Sequence, residues 1–171
     1  MTRLPALGAI ALLVGCGSTS GFRAAAPTTR TLDWRDESGP PQHRMIIVVH
    51  RLIVRRDGWS VDAKVTNGTD RTLVISRVHR PYQTKFGIAE MRGDERAVPP
   101  QRFATRFLPP LRRRLAPGES WEGVFSGPGR LPRARDLRVV FGTFFAIPPV
   151  NLGGRRYTRF DVFTDESVRL T

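Results

Sequence analysis

The 171-residue sequence predicts an all-β protein, a single antiparallel β-sandwich of about seven to nine strands. Apolar and polar residues alternate through much of the chain, as they do in strands with one face in a core and the other in water. Turn signals rich in glycine, proline, asparagine and aspartate recur about every ten residues. No segment has the 3.6-residue apolar period of an amphipathic helix. A closed barrel is the alternative arrangement of these strands.

The first three predicted strands are joined by two short turns. Residues 45–54 are rich in β-branched side chains, and Asp57-Gly58 then marks a tight hairpin turn. Residues 59–66 alternate most clearly, with an apolar face made of Trp59, Val61, Ala63 and Val65. Asn67-Gly68-Thr69-Asp70 turns the chain again, into a third strand over residues 72–78.

The middle of the chain is less regular because two Pro-Pro pairs interrupt it. We expect short strands over residues 85–91 and 101–108, with Phe103 and Phe107 as candidate core residues. A Pro117-Gly118-Glu119 turn leads into a strand over residues 120–125.

Three further strands are predicted near the C-terminal part of the sequence. Residues 137–145 alternate again, so that one face carries Leu137, Val139, Phe141, Thr143 and Phe145. Gly153-Gly154 closes a hairpin to residues 157–163, and residues 167–170 add a last half-strand.

The only cysteine, Cys16, ends a short apolar stretch near the N-terminus. Arg3 supplies a positive region, residues 4–14 are mostly apolar, and Gly15 is the small residue before the cysteine. The run Leu13-Val14-Gly15-Cys16 resembles the lipobox of bacterial lipoproteins. That resemblance implies a signal peptide over residues 1–15, acylation of the Cys16 thiol and cleavage before it. The alternatives are an ordinary secretory signal with an incidental cysteine and a buried thiol in a cytosolic protein.

The expected domain organisation follows from this N-terminus. Residues 16–42 are rich in small and polar residues, which predicts a flexible tether, and the lipobox resemblance implies that it is lipidated at Cys16. The sandwich is expected over residues 43–171. Trp34 is the exception in the tether and is expected to dock partly onto the domain. With no second cysteine, the sandwich has no internal disulfide and depends on its core for stability.

Two signatures carry a second resemblance. Residues 59–70 combine a strand with an Asn-x-[Ser/Thr]-[Asp/Asn] turn, and residues 115–125 combine a Leu-x-Pro-Gly-Glu turn with the strand that follows. As a pair they resemble the immunoglobulin-like extracytoplasmic domains of bacterial lipoproteins, the FxLYD-type and related domains of unknown function. The resemblance spans residues 44–145. It implies an immunoglobulin-like sandwich with an adhesive or modular role and no shared catalytic residues.

The net charge is strongly positive, with 28 Lys plus Arg against 15 Asp plus Glu, or +13, and only Lys64 and Lys85 are lysines. A GC-rich genome explains the preference for arginine, whereas selection for bidentate phosphate or carboxylate contacts is the sharper explanation. The alternative role of these arginines is a merely solvated surface. As an anionic-surface binding set the sequence offers Arg102, Arg106, Arg112, Arg113, Arg114, Arg133 and Arg135.

No motif in the sequence indicates catalysis, a metal site or a cofactor. There is no Gly-x-Ser-x-Gly elbow, and His43, His50 and His79 are not at metal-ligand spacing. Asp57 and Asp70 lie in turns, where aspartate is common without binding calcium. We therefore expect no catalytic residue, no metal and no cofactor.

The sequence thus predicts an exported protein that is lipid-anchored in the cell membrane or outer membrane and faces the periplasm or exterior. There it acts as a non-catalytic binding module. Expected partners are the membrane through the anchor, an anionic lipid, lipopolysaccharide or wall polymer, and an envelope protein. Export argues against nucleic acid as a partner. The alternatives are a ligand-free structural or assembly factor of the envelope and a small hydrolase with an unrecognised site.

Overall fold

The computed structural model describes residues 22–39, 44–75, 85–91 and 102–171, and these residues form an all-β, two-sheet antiparallel sandwich. The predicted fold class is confirmed. The number of strands was underestimated, because the described residues contain twelve rather than about seven to nine: β1 (Thr28–Ser38), β2 (Arg44–Val54), β3 (Gly58–Gly68), β4 (Thr72–Ile75), β5 (Phe86–Glu90), β6 (Arg102–Phe103), β7 (Arg106–Leu108), β8 (Arg114–Leu115), β9 (Ser120–Pro128), β10 (Asp136–Leu152), β11 (Arg155–Phe163) and β12 (Val168–Arg169).

The first sheet has the strand order β1-β2-β3-β9-β7. Its centre is the predicted hairpin of β2 and β3, whose turn is closed by a 2.8 Å hydrogen bond from the Arg55 N–H to the Gly58 carbonyl. In the second sheet, β10 pairs with β4, β5, β11 and β12, while β8 joins β4 and β6 joins β5. The long β10 is therefore the element that holds the second sheet together.

The core between the sheets is centred on Phe86 of β5, which is 4% exposed. Its ring meets five other aromatic rings at centroid distances from 5.3 to 6.3 Å, mostly edge to face: Phe107, Trp121, Phe125, Phe141 and Phe144. These rings come from β5, β7, β9 and β10, so both sheets contribute to one cluster. Edge-to-face aromatic pairs add stabilisation beyond the area that they bury.

The prediction of a flexible tether up to residue 42 is wrong for the segment that forms β1. Thr28–Ser38 pairs with the whole length of β2 and is the edge strand of the first sheet. Leu32 and Trp34 are partly buried against the core, which confirms the expected docking of Trp34. The inward positions of β1 alternate without interruption, but only Leu32 and Trp34 among them are apolar, so the sequence lacks the apolar period that would have indicated a strand.

The alternation predicted for residues 137–145 holds only in its first half. Leu137, Val139 and Phe141 belong to the core, but the next core ring is Phe144, and Phe145 is only half-buried. The cause is an irregularity in the pairing between Val140 and Gly142, where Gly142 has a φ of 87°. A bulge of this kind adds one residue to the strand and exchanges its two faces.

The region around residue 104 connects the two sheets, and this explains why one predicted strand became two. β6 pairs with β5 in the second sheet, and β7 pairs with β9 in the first. Between them the Ala104 N–H donates to the Phe86 carbonyl at 2.9 Å and the Thr105 N–H to the Ser126 carbonyl at 2.8 Å. Phe107 packs against the core as predicted, whereas Phe103, at 39% exposed, does not belong to it.

Candidate anion-binding site

The two ends of the sandwich differ in the segments that they bring together. β3 and β9 are antiparallel, with Gly58 opposite Pro128 at one end and Thr66 opposite Ser120 at the other. At about 3.4 Å per residue these ends are about 27 Å apart along β9. We call the end at Gly58 and Pro128 the basic end, for the charges described next, and the other the opposite end.

Hydrogen bonds and ring contacts join four segments at the basic end. The Arg130 Nε–H donates to the Arg56 carbonyl at 3.0 Å, and the Arg102 Nε–H donates to the Arg130 carbonyl at 3.2 Å. The Arg102 guanidinium also lies 5.9 Å from the centre of the exposed Phe22 ring. On the other side of Phe22, the Arg133 N–H donates to the Arg23 carbonyl at 2.7 Å. The N-terminal part of the described chain is thus fastened to this end.

The segments at the basic end carry almost no negative charge. Residues 22–24, 55–58, 102–106 and 127–135 contain eight arginines and a single acid, Asp57, which leaves a formal charge of +7. The neighbouring Asp136 adds no free carboxylate, because an ion pair with Arg169 at 2.6 Å occupies it. Hydrogen bonding to that guanidinium lowers the pKa of Asp136.

The opposite end is more nearly neutral. Two of its arginines lie beside carboxylates: Arg112 pairs with Glu119, and Arg71 lies 3.6 Å from Asp70. The Glu119 carboxylate also accepts a hydrogen bond from the Ala116 N–H at 2.9 Å, and this bond and the one from Arg112 lower the pKa of Glu119. The Glu119 carboxylate thus stabilises the turn that leads into β9 through its bonds to Ala116 and Arg112.

The structure divides the predicted set of arginines into two groups. At the basic end lie Arg102, Arg106, Arg133 and Arg135, and at the opposite end lie Arg112, Arg113 and Arg114. Arg106 and Arg112 are six residues apart in the sequence but lie at different ends. Arg106 is opposite Ser126 in β9, whereas Arg112 pairs with Glu119 just before β9, so the two groups are about 20 Å apart.

An open depression of about 460 Å³ lies on the outer face of the first sheet at the basic end. Ser60, Ser126 and Arg106 are consecutive register partners across β3, β9 and β7, so their side chains share this face. The Arg55 Nη1–H donates to the Ser60 Oγ at 3.0 Å from the side of β2. The depression is lined by Arg55, Ser60, Arg106, Phe107, Leu108, Val124 and Ser126.

The remaining rows of side chains on this outer face neutralise themselves. Arg51 pairs with Asp62 at 2.7 Å, and Lys64 pairs with Glu122 at 3.1 Å. One row further on, the hydroxyls of Thr66 and Ser120 hydrogen-bond to each other at 2.8 Å. Among the described residues of this face, therefore, the serine row is the one flanked by two arginines without a carboxylate partner.

Sequence reasoning missed the most enclosed part of the site, which includes Arg55 and the two serines. Their spacing in the sequence carries no signal, because Ser60, Arg106 and Ser126 become neighbours only through the pairing of β3, β9 and β7. The usable signal was the Arg55-Arg56 pair directly before a hairpin turn, which places two cations at the end of a sheet.

No group of three or more His, Cys, Asp or Glu side chains in the described ranges is arranged to hold a metal ion. The predicted lipidation site, Cys16, and the residues His43 and His79 lie outside the described residues. Within the described part of the chain, no helix is long and apolar enough to cross a membrane.

No protein-family model, no curated protein and no solved structure matches the chain. The charges and contacts of this chain are therefore the observations that bear on its function.

Proposed function

We propose that the protein is an extracytoplasmic lipoprotein, anchored through Cys16, whose β-sandwich is a non-catalytic module that binds an anionic component of the envelope. The observation that carries the proposal is the basic end, where eight arginines face a single acid. Arginine side chains near an anionic membrane surface contribute about 1 kcal/mol each to binding.

The position of Cys16 in the sequence supports an orientation in which the basic end faces the membrane. Phe22, at the basic end, is six residues from Cys16, and six residues span at most about 20 Å. Acyl chains on Cys16 would therefore hold the basic end close to the lipid headgroups. Two or more such chains anchor a protein stably, whereas one chain binds reversibly.

The anchor is tested separately from the binding. In cells fed with labelled fatty acid, we expect the wild-type chain to incorporate the label and to fractionate with membranes, because the thiol is the acyl acceptor. The Cys16→Ala variant should do neither. Equal labelling and fractionation of the two proteins would contradict the lipoprotein assignment.

The binding is tested with two matched pairs of predicted arginines. The mature chain from Cys16 onward, prepared without acylation, is titrated with phosphatidylglycerol and phosphatidylcholine vesicles. The R133Q/R135Q variant should bind the anionic vesicles about thirtyfold more weakly than wild type, since two arginines are worth about 2 kcal/mol. The R113Q/R114Q control loses the same charge at the opposite end, beyond the Debye length of about 10 Å, and should change less than about threefold. Equal losses of vesicle affinity in both variants would contradict the proposal that the basic end, and not the total charge, binds the membrane.

A further inference from the structure

We infer that the depression lined by Arg55, Ser60, Arg106 and Ser126 is a binding site for a phosphate-ester group. If a membrane surface is the source of that group, the inference rests on the proposed function. The site itself rests on the hydrogen bond between Arg55 and Ser60 and on the register that places Ser60, Ser126 and Arg106 side by side.

The donors in the depression match an oxyanion. The Ser60 Oγ accepts a hydrogen bond from Arg55, so the hydroxyl proton of Ser60 is available to a ligand. Ser126 is its register partner and adds a second hydroxyl, and Arg106 adds a second guanidinium. Each guanidinium presents a planar fork of N–H donors. Among the described residues that line the depression, none is a carboxylate that could compete for them.

The number and arrangement of donors favour phosphate over carboxylate. A carboxylate has two oxygens and is satisfied by one bidentate arginine. Two guanidinium groups on opposite sides of two hydroxyls suit a group with three or four oxygens in a tetrahedral arrangement. The phosphoryl group is the commonest biological anion of that shape, and arginine recognises it by paired, charge-assisted hydrogen bonds.

The size and the apolar part of the depression indicate an ester rather than the free ion. A volume of about 460 Å³ falls in the range of small-molecule sites and far exceeds the roughly 30 Å³ of one water molecule. Leu108, which is 73% exposed, and Val124 line it beside the arginines. The site can therefore hold a phosphate with a carbon substituent, as in a glycerophospholipid headgroup or a soluble phosphate ester.

The test uses the chain purified from its native envelope in a neutral detergent. Thermal unfolding is followed in inorganic phosphate, in glycerol phosphate and in acetate, each against chloride at the same ionic strength. A ligand that binds the folded state raises the unfolding temperature with its concentration. We expect both phosphates to do so and acetate not to, with the glycerol ester effective at the lower concentration.

Variants assign the effect to the depression. Arg106→Gln keeps the contact between Arg55 and Ser60, so it should fold normally and bind phosphate at least about tenfold more weakly, the loss expected for a charge-assisted hydrogen bond. The R155Q/R156Q control removes two exposed arginines at the tip of the β10–β11 hairpin and should bind as wild type does. If phosphate and chloride act equally on wild type, or if Arg106→Gln binds as tightly as the control, the inference is overturned.

Vesicles identify the source of the phosphate and separate this inference from the proposed function. Competition of phosphatidylglycerol vesicles with glycerol phosphate for the wild-type site supports a lipid headgroup. Stabilisation by glycerol phosphate without any preference for anionic vesicles supports the site with a soluble ester, and in that case the proposed function fails while the inference stands.

Discussion

Replacing Asn67 with alanine should destabilise the fold far more than the loss of one turn residue suggests. The side chain is 0% exposed and makes hydrogen bonds in two directions. Its amide nitrogen donates to the carbonyls of Arg71, at 2.7 Å, and Leu115, at 2.9 Å. Its oxygen accepts from the backbone N–H of Thr69 at 3.0 Å and from the Thr69 hydroxyl at 2.8 Å. Asn67 thus ties the end of β3 to β8 in the other sheet.

The magnitude follows from the hydrogen bonds that the alanine removes, although the Arg71 carbonyl keeps one from the Thr69 hydroxyl at 3.0 Å. Two carbonyls and one N–H lose a hydrogen bond in or near the protein interior, and each such loss costs about 1 to 3 kcal/mol. Water reaches part of the turn, so we expect a total near the low end, about 3 to 4 kcal/mol. Urea unfolding followed by the fluorescence of the buried Trp59 and Trp121 measures it. With an m value of about 2 kcal/mol/M, the midpoint falls by about 1.5 to 2 M.

A matched control and a second variant make the reasoning refutable. Asn151→Ala makes the same substitution at an exposed position of β10 and should change stability by less than about 0.5 kcal/mol. Asn67→Asp keeps the acceptor for Thr69 but loses the donor, and should be at least as unstable as Asn67→Ala. If Asn67→Ala unfolds within about 1 kcal/mol of the Asn151→Ala control, the role assigned to this side chain is wrong.

Three other substitutions test the packing and the charges. Burial raises the pKa of Asp36 from 3.8 to about 6, and a hydrogen bond with the Glu166 carboxyl acts in the same direction. Because the folded state holds this proton more tightly than the unfolded state, ionisation opposes folding, and the free energy of unfolding falls as the pH rises from about 4 to 6. In Asp36→Asn the urea midpoint should fall less over this pH range than in wild type. An identical pH dependence of the two proteins would refute the role assigned to Asp36. In Gly127→Ala the new methyl group would overlap the Phe103 carbonyl oxygen, and thermal unfolding should show a loss of about 2 to 3 kcal/mol. Gly153→Ala is the control, because its methyl group meets open space and only the positive φ opposes it, at about 1 kcal/mol. Equal losses of stability in the two variants would contradict the close packing at Gly127. Phe86→Ala should cost about 3 to 5 kcal/mol, and a loss below 1 would contradict its central place in the core.

The sequence was a reliable guide wherever the structure is local. The β2–β3 hairpin, its Asp57-Gly58 turn and the Gly153-Gly154 hairpin turn all follow from residues that are neighbours in the chain. Short turns determine which strands are adjacent, and alternation determines which face is buried. Those two signals sufficed for the fold class and for most strands.

The sequence was a poor guide where distant segments meet. β1 is polar and irregular, and it forms a strand because β2 offers it a complete edge. The four side chains of the depression come from the end of β2, from β3, from β7 and from β9, and no spacing in the sequence relates them. Arg106 and Arg112 are close in the sequence, but the segment between them runs from the basic end towards the opposite end of the sandwich.

The most direct test of the account asks which end of the sandwich faces the membrane. With Cys16 acylated, a cysteine introduced at Thr105, on the basic end, or at Asn151, on the β10–β11 hairpin, is the only thiol open to a fluorescent label. Each labelled protein is reconstituted into phosphatidylglycerol vesicles that carry a nitroxide on the lipid headgroup. The account predicts strong quenching of the Thr105→Cys label, weak quenching of the Asn151→Cys label, and loss of the difference at high salt. Equal quenching at the two positions, or stronger quenching at Asn151→Cys, would contradict it.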